Sequence, residues 1–273
     1  MISMLLAASA VLVPPATRPV PAVVLVQGAG VTDRDGTNGP NRPMADLAKG
    51  LAERGIASVR FDTPGKGSDA ALAALREIAA ARGVDAKRIF VVGHAEGATL
   101  VPRLAERASS VRGLVLLAAA ARPVDERMIE QVRTGAALLG DADAAELQVS
   151  HLTESFASVR DPKSGTDPKI LDRPAAYWRD LLSIDLPQSM RATKLPVLVL
   201  QGENDFEVRK DLDFDALRAS VGIAEGRIEY RSFPDLNHYF IKVGGMSTGS
   251  EYGREGELDP AVIDAISRWI FSH

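Results

Sequence analysis

Residues 88–100 read RIFVVGHAEGATL: an apolar run, two glycines bracketing three residues, then a stretch of helical composition. A nucleophile poised on a tight strand-to-helix turn needs glycine two positions to either side, because larger side chains collide there. Gly93 and Gly97 have that spacing. The apex, where a serine would attack, is occupied by Ala95. A methyl group neither attacks nor donates a proton. Taken alone, the stretch reads equally well as an ordinary strand-to-helix turn.

An acid and a base follow in order. Asp205 stands just past the apolar run in LVLQGENDFEV, and Glu203 is a second candidate for the acid. His238 stands in RSFPDLNHYF, just past the last such run. A carboxylate that orients an imidazole, which in turn takes a proton from a hydroxyl, is the machinery of acyl transfer. The other histidines lack that context: His94 lies inside the turn itself, His151 in a helical insertion, and His273 is the last residue. Upstream, Gln27-Gly28-Ala29-Gly30 follows another apolar run. A glycine-rich loop there exposes main-chain N–H groups that can hold an oxyanion. As a phosphate loop it is deficient, with no correctly placed third glycine and no following G-K-[ST].

These residues need a frame to bring them together. Continuous apolar runs at 22–28, 57–61, 88–93, 113–119, 196–202 and 227–233 lack alternation. They predict strands buried on both faces of a mostly parallel sheet. Helical stretches between them, such as RPMADLAKGLAERG and DAALAALREIAAARG, imply right-handed crossovers in an α/β fold. The last helix is DPAVIDAISRWIF, with Asp259 as N-cap and Pro260 at its first position. One segment breaks the rhythm. Residues 122–190 hold two or three helical pieces and no strand, between two runs that should be sheet neighbours. The expectation is a core of residues 1–121 and 191–273 with a helical lid over the site. In the lid, Tyr177 and Trp178 either contact substrate or pin the lid to the body.

Composition narrows the partners. The chain has 273 residues, 46% of them hydrophobic, enough for one sizeable core. A net charge of −4 without a long basic run argues against nucleic acid. The absence of cysteine excludes disulfides and thiolate metal sites, and the four histidines lack metal-site spacing. No cofactor or metal is expected. MISMLLAASAVLVPP has an apolar stretch too short to span a bilayer and no basic region before it. It predicts a first strand, LLAASAVLV, in a cytoplasmic protein with no membrane partner; a signal peptide and secretion are the alternative. Oligomeric state is not fixed by any of this.

The chain resembles bacterial α/β-hydrolases of the esterase, dienelactone-hydrolase-like and serine-aminopeptidase-like group. The resemblance runs through PAVVLVQGAG, DRDGTNGPNRP, LAERGIASVRFD, GVDAKRIFVVGHAEG, AAYWRDLL, PVLVLQGEND, FPDLNHYF and STGSEY. It implies the α/β-hydrolase fold and a Ser–Asp–His triad acting on a small-molecule ester or related acyl compound. It places Ala95 at the nucleophile position, Asp205 at the acid and His238 at the base. It puts the main-chain N–H groups of Ala29 and Glu96 at the oxyanion hole. The chain departs from the group in three ways: Ala95 replaces serine, Gln27 replaces a frequent histidine, and the segment after RFDTPGKG is short.

Three readings of Ala95 follow. The chain carries a serine-to-alanine change in a serine hydrolase; or Ala95 is natural and His238 with Asp205 serves as a base dyad for isomerisation, elimination or cyclisation; or the pocket only binds a ligand.

Overall fold

The computed structural model describes residues 9–28, 33–62, 67–140, 142–161, 163 and 167–273. Seven strands form one sheet: β1 (Ser9–Leu12), β2 (Val20–Val26), β3 (Ala57–Phe61), β4 (Val84–His94), β5 (Val111–Leu117), β6 (Val197–Gly202) and β7 (Ile228–Phe233). Their order is β1-β3-β2-β4-β5-β6-β7. Only β1 runs antiparallel, against β3; the other neighbours are parallel. The expected first strand is present from Ser9; its earlier residues lie outside the described ones.

The apolar runs are continuous because both faces of the sheet are covered. Along β2, Val24 and Val26 enter one core while Val23 and Leu25 enter the other. Along β4, Ile89 and Val91 divide from Phe90 and Val92 in the same way. The first core is closed by α2 (Gly67–Ala80), α3 (Glu96–Glu106) and α8 (Asp215–Val221); the second by α1 (Pro43–Glu53) and α9 (Pro260–Ser272). Asp259 caps α9 as expected, its side chain accepting from the Ala261 N–H, with Pro260 in the first turn.

Between β5 and β6 lie four helices: α4 (Val124–Leu139), α5 (Ala142–Arg160), α6 (Ala175–Leu182) and α7 (Leu186–Ala192). They form two groups. Val124 and Met128 of α4, Phe156 and Val159 of α5, and Trp178 and Leu181 of α6 make a small core of their own. Leu186 and Met190 of α7 instead join the main core beneath the sheet. The root of the insertion is held by an ion pair: Arg122, just past β5, meets the fully buried Asp213 at 2.6 Å. Asp213 lies in a π-helical stretch, Lys210–Phe214, that runs straight into α8.

Candidate active site

The turn at the end of β4 is built by exclusion. Ala95 sits between β4 and α3 at φ 53° and ψ −120°, a backbone region that costs a non-glycine residue on the order of 1–3 kcal/mol. Its neighbours must press close for this to hold. A Cβ on Gly93 would meet the Gly97 carbonyl oxygen and Val101 Cγ2, each at 2.6 Å. A Cβ on Gly97 would meet the carbonyl oxygen of Val26, on the adjacent strand, at 2.3 Å. The sharp turn lifts the position-95 side chain to the cavity described below. It also places the Glu96 N–H in the first turn of α3. A Cβ added to Gly28 would lie 3.3 Å from that nitrogen and 3.2 Å from Ala95 Cβ, so the loop after β2 faces the turn directly. Ala29, the other position assigned to an oxyanion donor, lies outside the described residues.

Asp205 is carried past β6 and is fully buried. One carboxylate oxygen accepts from the main-chain N–H groups of Glu207 and Val208 at 2.8 and 2.9 Å. The other accepts from Gln201 Nε2 at 3.1 Å and faces His238 Nδ1 at 2.8 Å. Glu203 points elsewhere, accepting from the Ser232 hydroxyl. The loop after β7 brings His238 to this carboxylate. With Nδ1–H committed to Asp205, Nε2 of the neutral ring is the free proton acceptor. Burial pulls the His238 pKa down, but the carboxylates of Asp205 and Glu207 outweigh it and raise the pKa to about 9.

His94 has a place that its sequence context did not suggest. Its Nε2 bonds the His238 carbonyl oxygen at 2.9 Å, and the two rings lie 4.5 Å apart. Burial, reinforced by the charge on His238, lowers its pKa to about 4, so it stays neutral.

These groups surround a cavity of about 100 Å³. Its floor includes His94, Ala95, Glu96 and His238, with Gln27 and Gly28 at one side. The insertion supplies Arg127, Met128, Gln131 and Leu171, and the loop after Asp205 supplies Glu207. Arg127 is buried and paired with the Glu96 carboxylate. Glu207 accepts from Gln131 Nε2 at 2.9 Å and from the Tyr252 hydroxyl at 2.7 Å, and lies 3.9 Å from His238 Nε2. Gln27 Nε2 donates to the Asp33 carbonyl oxygen, and its own Oε1 is buried with no partner among the described residues.

The two aromatics expected of the lid stand apart from the cavity wall. Trp178 is fully buried inside the insertion's core, donating from Nε1 to the Ile170 carbonyl oxygen at 3.1 Å and meeting Phe156 edge-on. Tyr177 packs against Trp178, with the Arg173 guanidinium over its ring. Neither lines the cavity. Arg127, Gln131, Glu207 and the His94 tether escaped the sequence reading. The only trace of them is that Glu207 follows the candidate acid by two residues. Among the described residues, no group of three His, Asp or Glu side chains could hold a metal ion. Among them, too, no helix is long and apolar enough to cross a membrane.

Comparison with known proteins agrees with this architecture. A model of the Alpha/beta hydrolase family matches residues 23–242. Esterase EstD of Thermotoga maritima is 33% identical over 272 residues, covering 94% of this chain. The chain spans 64% of that relative's own length. Among solved structures, Est1E from Butyrivibrio proteoclasticus superposes with a TM-score of 0.60 at 15% identity, covering 97% of this chain and 93% of its own. The esterase domain of a Rhodothermus marinus protein gives 0.57 at 18% identity, covering 96% and 91%. At those identities the structures speak for the fold alone. With the family match over most of its length and a mostly parallel seven-stranded sheet, the chain belongs to the alpha/beta hydrolase family.

Proposed function

We propose that this chain is a serine hydrolase framework for small acyl esters or thioesters, with Ala95 standing where the reacting serine belongs. The observation that carries the reading is the pairing of His238 with the buried Asp205 beside a backbone held at φ 53° at position 95. A framework that had lost its purpose has no reason to keep a strained turn, two glycines without room for a methyl, and an oriented imidazole together.

With serine at 95, His238 Nε2 takes the hydroxyl proton as the oxygen attacks the ester carbonyl. Asp205 holds the ring in the tautomer that leaves Nε2 free and stabilises the imidazolium that forms. The developing oxyanion is met by main-chain N–H groups, with Glu96 and Ala29 as the assigned donors. His238 then returns its proton to the departing alcohol or thiol. Water activated by the same ring cleaves the acyl-enzyme, or a second acceptor receives the acyl group. Helices α4 to α6 act as the lid.

The experiment is Ala95→Ser, assayed on p-nitrophenyl acetate. Losing a serine nucleophile costs on the order of 10⁶ in turnover, so restoring it produces a gain of comparable size. His238→Ala in the same background abolishes the gain. No gain in the serine form rejects the proposal.

A second reading draws on the raised basicity of His238. In its neutral form, a dyad of His238 and Asp205 would abstract a proton from a substrate without a covalent intermediate, as an isomerase, lyase or cyclase would. Under that reading the Ala95 chain turns over its own substrate and His238→Ala stops it. Under a pure ligand-binding reading, neither form does.

A further inference from the structure

The charges around the cavity do not balance. Asp205 is matched by His238 when that ring is protonated, and Glu96 is matched by Arg127. Glu207 is left over. Its two hydrogen-bond partners, Gln131 and Tyr252, are neutral. Among the described residues, the one cationic group within 4.0 Å of it is His238, which already serves Asp205. A carboxylate offers about four acceptor sites and these two donors fill only half of them. The side chain is 15% exposed and lines the cavity, so the free sites are open to a ligand.

The position of Glu207 says which part of a ligand it meets. Its Oε2 lies 3.9 Å from His238 Nε2, on the side of the ring opposite Asp205. Nε2 is the atom that hands its proton to the departing group, so that group passes beside Glu207. We infer that Glu207 is a specificity-determining residue that binds a protonated amine carried on the leaving alcohol of the ester. The assignment to the leaving side rests on the ester-cleaving reading above; the attraction for a cation does not. Gln131 and Tyr252 fix the carboxylate so that it meets the amine in one orientation. An uncharged alcohol gains no such contact and leaves the half-buried Glu207 carboxylate without that counterion.

The test uses the Ala95 chain itself, which cannot attack an ester and so allows binding to be read at equilibrium. Titration calorimetry at neutral pH compares 2-(dimethylamino)ethyl acetate with its uncharged isostere, 3-methylbutyl acetate. A charge-assisted hydrogen bond predicts about tenfold or more tighter binding of the amine ester. Glu207→Gln brings the two within about twofold. Gln131→Lys, which gives Glu207 a cationic partner without touching it, abolishes the preference too and serves if Glu207→Gln does not fold. Equal affinity for the two esters, a preference that survives both variants, or no binding of either ester overturns the inference. Ala95→Ser with a fluorophosphonate separates this from the hydrolase reading. An amine preference without labelling removes the hydrolase and leaves the cation site; labelling without an amine preference does the reverse.

Discussion

His94 Nε2 lies 2.9 Å from the main-chain carbonyl oxygen of His238, which ties the turn at position 95 to the loop that carries His238. The two segments are far apart in sequence and come from different strands. Without the bond, a buried carbonyl would lack its partner and the loop carrying His238 would be free to shift. His94 is therefore a positioning residue. In an Ala95→Ser background, His94→Ala is expected to cost about 1–3 kcal/mol of stability and to lower kcat by roughly tenfold, with KM little changed. His94→Gln, which retains a donor, restores part of kcat. Steady-state kinetics with denaturant unfolding checks this; an unchanged kcat in the alanine variant contradicts it.

Ala95 itself is under backbone strain at φ 53°. Glycine adopts such a conformation freely, though at a cost of roughly 0.5–1 kcal/mol in unfolded-chain entropy. Strain relief exceeds this, so Ala95→Gly is expected to stabilise the chain by about 1 kcal/mol. Urea unfolding measures it. A destabilised glycine variant contradicts the strain.

Gly97 has the opposite sensitivity. Its missing Cβ would lie 2.3 Å from the Val26 carbonyl oxygen, which belongs to a central strand that cannot move aside. Gly97→Ala is expected to destabilise by about 1–3 kcal/mol or more, and to remove any activity gained by Ala95→Ser even where the fold survives. Full activity in the doubly substituted chain contradicts the packing argument.

The two histidines set opposite pH limits. The native state holds the His238 proton more tightly than the unfolded chain, with a pKa raised from 6.5 to about 9. That contribution to stability is fully present below about 6.5 and is lost as pH rises through about 9. The native state resists protonating His94, whose pKa falls from 6.5 to about 4. Its contribution is present above about 6.5 and is lost as pH falls towards 4. Denaturant unfolding across this range should show a fall on both sides of about 6.5. His94→Gln flattens the acid limb and His238→Gln the alkaline one. Limbs that remain in these variants arise elsewhere.

The sheet was legible in the sequence because its strands are buried on both faces, so that apolar runs such as 22–28 and 196–202 stand out. Where a strand is partly solvated the signal fails. β4 begins at Val84, four residues before the run at 88–93, because Asp85, Ala86, Lys87 and Arg88 lie towards the exposed end of the strand. The insertion was legible as helical, but α7 joins the main core, which depends on what lies beneath Leu186 and Met190. Asp205 and His238 stand out in the sequence because each follows an apolar run, and the structure brings the two side chains to 2.8 Å. Glu207 and Arg127 do not stand out, because charged residues look alike in sequence wherever they point. Only the tertiary structure turns Arg127 inward to Glu96 and leaves Glu207, among the described residues, with no cation nearer than the His238 ring that Asp205 already holds. Trp178 illustrates the same limit from the apolar side: the sequence leaves open whether a rare aromatic contacts a ligand or packs within the fold, and the structure places its indole in the insertion's own core.

The central claim is that position 95 is the seat of a nucleophile served by His238. Intact-mass spectrometry after treatment with a fluorophosphonate tests it most directly. Ala95→Ser should gain one covalent adduct, mapped by peptide sequencing to position 95. The Ala95 chain should gain none, and Ala95→Ser combined with His238→Ala should label far more slowly. An Ala95→Ser protein that is folded yet stays unlabelled, or labelling at 95 that is indifferent to His238, would contradict the account.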